Sequence, residues 1–126
     1  MTDCFAFRRG NPAMPGPDFT QPAAISIEAL TDVTVVCLPL ELVNRVLESD
    51  MALLQCAYRL LMASTQMHWE LKNARYRYGA SQRYQWFLKT YPELMERVSS
   101  KYIASFLDMN PSTLSRLKAA LKHEKR

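Results

Sequence analysis

Lys101-Tyr-Ile-Ala-Ser-Phe-Leu-Asp-Met-Asn-Pro-Ser-Thr-Leu-Ser-Arg-Leu-Lys118 is the stretch that decides how this chain is read. Ile103, Ala104 and Leu107 fall on one side of a first helix, and Leu114 and Leu117 on one side of a second. Steps of three and four residues keep the two apolar sides facing each other across a short connection. Ala104 is small where two helices must approach closely. Asn110 is a good N-cap, and Pro111 then takes the first helical position, where its missing N–H costs nothing. The turn is Asp108-Met109-Asn110, with Met109 pointing inward.

The outer side of the second helix carries Ser112, Thr113, Ser115, Arg116 and Lys118, with no carboxylate before Glu124. Short hydroxyl side chains and cations in that arrangement allow close approach to phosphates and base edges. This is the layout of a helix-turn-helix, whose second helix enters the DNA major groove. An ordinary helical hairpin buried in a core is the competing reading of the same spacing.

Charge separates the chain in the same sense. Residues 75–126 hold eleven Lys/Arg against four Asp/Glu, whereas residues 1–74 hold five against eight. A basic C-terminal part fits a polyanion partner. Apolar residues make up 48% of 126, enough for a core and too many for wholesale disorder. Cys4, Cys37 and Cys56 are scattered, with no C-x-x-C pair and no His at ligand spacing, so the sequence gives no support to a zinc or iron–sulfur site. So sparse a count fits a reducing, cytoplasmic setting, with Cys37 and Cys56 expected as buried small hydrophobes. No signal peptide and no membrane span are read from the sequence.

Cys4-Phe-Ala-Phe7 reads as a short strand, and residues 10–22 are too rich in Pro and Gly for regular structure. Ala24–Leu30 and Val33–Leu38 read as two further strands. A short helix is expected over Leu40–Ser49 and a long one from Asp50 to about Arg77. Along the long helix, Leu53, Ala57, Leu60, Ser64, Met67, Leu71, Ala74 and Tyr78 follow alternating four–three steps, the seam of a two-stranded coiled coil. Packing in a monomeric core is the alternative. A second row, Leu54, Tyr58, Leu61 and Trp69, is expected to face the sheet. Gly79 serves as hinge or C-cap. Ser81 caps a helix over Gln82–Thr90 that turns Tyr84, Phe87 and Leu88 inward, and Pro92 opens a helical turn through Met95.

These residues resemble the Crp/Fnr family of bacterial transcription regulators, in the branch without a β-wing. The carrying string runs Arg83-Tyr-Gln-Trp-Phe-Leu-Lys-Thr-Tyr-Pro-Glu-Leu-Met-Glu-Arg-Val-Ser-Ser-Lys-Tyr-Ile-Ala-Ser-Phe-Leu-Asp-Met-Asn-Pro-Ser-Thr-Leu-Ser-Arg116. Upstream, Ser26-Ile-Glu-Ala-Leu30 resembles late strands of that family's cyclic-nucleotide-binding-like barrel, and Phe5-Ala-Phe-Arg-Arg-Gly10 the strand entering its ligand cassette. The resemblance implies a mainly α fold with a small β remnant: a partial β-roll over 1–38, a short helix plus a long dimerisation helix over 39–78, and a helix-turn-helix domain over 79–126. The larger, first part of the β-roll is missing, as in the C-terminal half of a regulator.

Departures from the family matter as much. Gly10-Asn11 and Ala23-Ala24 stand where ribose- and phosphate-binding pairs would be, so no cyclic nucleotide is expected. Family cluster cysteines are missing, and His68, which gas-sensing relatives would suggest as a haem ligand, is read as structural; no cofactor is expected. Asp108 occupies a turn position that usually holds Gly in a left-handed conformation. Ser112 replaces a base-reading Glu, which alters or relaxes recognition of cytosine.

The expected function is transcription regulation by a homodimer on a near-palindromic site in double-stranded DNA, with RNA polymerase as a further candidate partner. Arg116 is expected to read guanine, with Ser112 and Ser115 as secondary base-edge contacts. Lys101, Thr113, Lys118 and Lys122 are expected on phosphates. A truncated dimerisation module without DNA binding of its own is the competing class. Enzymatic activity is not expected: no Ser/His/Asp set, paired-carboxylate cleft or phosphate loop appears, and His68 and His123 have no obvious partners.

Overall fold

The computed structural model describes residues 1–7 and 21–124, with no side-chain description beyond Leu121. The Gly10-Asn11 pair, and the Lys122 and His123 side chains, lie outside the described residues. Described residues form six helices: α1 (Leu40–Ser49), α2 (Met51–Arg77), α3 (Ala80–Thr90), α4 (Leu94–Arg97), α5 (Ser100–Phe106) and α6 (Pro111–Glu124). The chain is thus mainly helical. No described helix is long and apolar enough to cross a membrane.

The expected β remnant is corrected. Among the described residues there is no strand, and residues 4–7, 24–30 and 33–38 are irregular. Isolated β-branched runs have no partner edge to satisfy their backbone groups, and two or three such runs make a poor sheet. Val36 is 86% exposed, so the alternating pattern meets no opposing face. The row Leu54, Tyr58, Leu61 and Trp69 consequently has no sheet to cover it, and all four are exposed. Cys37 and Cys56, expected inside, are exposed as well, because nothing described packs over either segment.

The chain divides into two compact units, one of residues 1–7 with 68–126, the other of residues 8–67. The division cuts through α2 rather than falling near residues 38 and 78. In the second unit, Asp50 starts α2: its Oδ1 accepts from the amides of Ala52 at 2.9 Å and Leu53 at 3.1 Å. That satisfies two of the amides a helix start leaves without intrahelical partners. No described residue of this unit is buried.

The first unit has a core of Leu71, Tyr84, Phe87, Tyr91, Leu94, Ile103, Ala104, Phe106, Leu107 and Leu114. Its centre is aromatic: the rings of Phe87, Tyr91 and Phe106 lie 5.5–5.8 Å apart, centroid to centroid, mostly edge to face. Such tilted contacts add to the gain from area burial. Gly79, with φ −66° and ψ 167°, is the N-cap of α3, and its amide donates to Gln82 Oε1 at 3.0 Å. The cap is therefore Gly79 and not Ser81. Its backbone is extended rather than left-handed, so the C-cap reading of this glycine is corrected too.

The amino-terminal segment belongs to this unit. The Thr2 amide donates to Ser105 Oγ at 2.8 Å, and Arg97 Nη1 donates to the Phe7 carbonyl at 3.4 Å. Phe5 sits 5.0 Å from Phe106, and Phe7 sits 6.0 Å from Tyr91, ring to ring. Residues two apart on an extended run share a side, which is why both phenyl groups reach one core.

Candidate nucleic-acid interface

The geometry around α6 is set from beneath. Ile103, Ala104 and Leu107 of the α5 segment and Leu114 of α6 are all 0% exposed. Leu117 packs partly buried against the same cluster. With Leu114 fixed inward, residues 112, 115 and 116 are turned away from the core by the 3.6-residue repeat. Ser112, Ser115 and Arg116 are exposed, while Thr113 is half-buried.

The connection between the helices holds a left-handed residue. Asp108 has φ 51°, the one positive φ among described non-glycine residues. Its amide donates to the Ser105 carbonyl at 3.3 Å, and the next amide, Met109, donates to Ala104 at 3.0 Å. These bonds close the end of α5, and the left-handed residue reverses the chain. Met109 packs against the core. The Asn110 carbonyl then accepts from the Leu114 amide at 3.1 Å as α6 begins.

Two arginines brace this turn. Arg75, near the end of α2, donates to the Phe106 carbonyl from Nε at 3.1 Å and from Nη2 at 2.6 Å, and to the Thr2 carbonyl at 3.2 Å. Arg83 of α3 donates from Nη2 to the Asp108 carbonyl at 3.2 Å. From Nη1 it also reaches the carbonyls of Arg75 and Tyr78, each at 3.3 Å. Cationic donors make stronger bonds than neutral ones and hold several carbonyls in one geometry. These two residues were not singled out from sequence. No local sequence signal links either arginine to a turn 25 or more residues away.

Cations flank the exposed side of α6. Lys101 is exposed, with its Nζ 5.8 Å from the Tyr102 ring centroid. Lys118 is half-buried and donates to Ser100 Oγ at 2.5 Å. That bond brings Lys118 beside the start of α5, one residue from Lys101.

The expected dimer seam divides at its middle. Leu53 and Leu60 are exposed, and Ala57, Ser64 and Met67 are half-buried. Leu71 and Ala74, at 3% and 2% exposure, are packed within their own chain's core, and this corrects their assignment to the seam. Side chains already removed from water have no surface left for a second helix. Tyr78 lies beyond the end of α2 and is exposed.

His68 is not without a partner, as the sequence had it: its Nε2 and Asp3 Oδ2 lie 3.0 Å apart. No family model, no curated protein and no solved structure matches this chain.

Proposed function

We propose that this chain is a DNA-binding transcription regulator of Crp/Fnr type that acts as a homodimer, with α5, the 107–110 turn and α6 as its helix-turn-helix. The observation that carries this reading is the two-sidedness of α6. Leu114 is sealed beneath it, while Ser112, Ser115 and Arg116 stand in solvent on the outside. A guanidinium flanked by short hydroxyls can reach base edges without obstruction. Arg116 would take guanine O6 and N7, with Ser112 and Ser115 beside it.

Lys101, Thr113 and Lys118 would hold phosphates and set the register, with Lys122 further along α6. Exchanging the Ser100 hydroxyl for a phosphate gives Lys118 an anionic acceptor and a stronger bond. No carboxylate in the first three turns of α6 opposes this. Dimerisation would use α2 up to Met67, where the four–three pattern is uncovered by the chain's own core. The same exposed row favours a second reading, a dimerising module that does not bind DNA itself.

Fluorescence anisotropy with a random-sequence duplex, run as a salt series, tests the DNA reading. The expected result is binding whose logarithm falls linearly with the logarithm of salt concentration, as counterions are released. Chemical crosslinking on the same sample reports dimerisation separately. A crosslinked dimer without salt-dependent DNA binding would leave the second reading standing and remove the first.

A further inference from the structure

The fold brings together three metal-ligating side chains that the linear sequence keeps apart. Asp3, Cys4 and His68 offer a carboxylate oxygen, a thiol sulfur and an imidazole nitrogen, all within 4.8 Å of one another. We propose that Asp3, Cys4 and His68 form a binding site for a zinc-type divalent transition-metal ion, which fastens the amino-terminal segment to α2.

The donor set is the first argument. One thiolate, one imidazole and one carboxylate are ligands that zinc accepts together, and hard cations such as magnesium do not take sulfur. The spacing is the second. Ligands at ordinary zinc bond lengths stand roughly 3.3–3.6 Å apart around a tetrahedral ion. His68 Nε2 and Asp3 Oδ2 are already 3.0 Å apart, so a small opening of that contact admits the ion. Positioning is the third. His68 is carried by a helix, and the segment bearing Asp3 and Cys4 is held at both ends, by Thr2 on Ser105 and Arg75 and by Phe5 on Phe106. All three ligands are thus presented by backbone already fixed on the same unit.

The protonation changes balance. On binding, Cys4 gives its proton to solvent and forms a sulfur–metal bond. His68 binds as the neutral ring with its proton on Nδ1, so that the Nε2 lone pair faces the ion. Three protein ligands leave a fourth position for water or another donor.

The test is cobalt(II) titration of the full chain in a Cys37→Ser, Cys56→Ser background, because both of those thiols are exposed and would bind metal on their own. The expected result is a thiolate-to-cobalt charge-transfer band with tetrahedral d–d bands, both displaced by zinc. Cys4→Ser should abolish the charge-transfer band. His68→Gln and Asp3→Asn should each weaken affinity by about tenfold or more, since even outer-shell partners of a metal are worth that much. Far-UV circular dichroism checks that each variant keeps its helices, and the three substituted side chains lie at least partly in solvent. No charge-transfer band in the background protein would overturn the site. So would a band of unchanged affinity in both His68→Gln and Asp3→Asn, which would mean a lone thiol.

Discussion

The unit built from residues 1–7 and 68–126 and the unit built from residues 8–67 use similar side chains to opposite ends. In the first, Phe87, Leu94, Phe106 and Leu114 are withdrawn from water around one aromatic centre. In the second, Leu53, Leu54, Leu60 and Leu61 are carried on an equally regular helix and remain 43–52% exposed. What differs is the number of elements that return to cover the helix. α3, α5, α6 and the amino-terminal segment converge in the first unit, whereas α2 before Met67 has no described sheet or bundle over it. Burying one leucine is worth about 1.5–3 kcal/mol, so a four–three row left in water is a surface that gains from a second helix. In the proposed dimer that helix comes from another copy of the chain.

The largest expected effect separates the two units directly. Phe106→Ala empties the aromatic centre and should cost about 3–5 kcal/mol in denaturant unfolding. Leu60→Ala, measured where the chain is monomeric, should stay within about 0.5 kcal/mol of the parent. Equal losses would break the comparison, since Leu60 would then be part of a core. The next effect sharpens it. The double substitution Leu53→Glu, Leu60→Glu places charge in the proposed seam and should weaken self-association by about a hundredfold or more in sedimentation, from lost apolar burial alone. An unchanged association constant would place any dimer interface elsewhere.

Much of this was legible from sequence because local physics governs it. The helix over Leu40–Ser49, the long helix to Arg77, the turn at Asp108 and the inward set Ile103, Ala104, Leu107 and Leu114 all follow from spacing and capping within a few residues. Asp108 has the left-handed backbone expected of its position. The failures are non-local. Ala24–Leu30 and Val33–Leu38 have β-like composition, but a strand exists only with a neighbour. Leu71 and Ala74 continue the coiled-coil period, yet the rest of their own unit folds over them. The period alone cannot say which partner a helix face meets. For the proposed DNA side, the exposure of Arg116 and Ser115 could be expected from the burial of Leu114. The Arg75 and Arg83 braces could not, nor could the pairing of His68 with Asp3, 65 positions away.

Within the first unit, the two kinds of cation on α6 should part in their effects. Arg116→Ala should cost about 1–3 kcal/mol on a preferred duplex and flatten preference at one base pair, read by competition anisotropy at fixed salt. Lys118→Ala should weaken all duplexes alike and lower the salt slope by about one. Identical behaviour of the two variants would deny Arg116 a reading role. The smallest effect concerns the turn. Asp108→Gly removes the steric cost of a left-handed backbone and should stabilise the first unit by up to about 1 kcal/mol in thermal unfolding, with the DNA-facing residues left in place.

Binding-site selection from a pool of random duplexes, using the purified chain, tests the central proposal most directly. The account predicts an enriched site with two related half-sites in inverted orientation, one helical turn or about 34 Å apart, and loss of that enrichment with Arg116→Ala. A pool that emerges with no sequence preference, at salt concentrations where the chain still retains DNA, would contradict it.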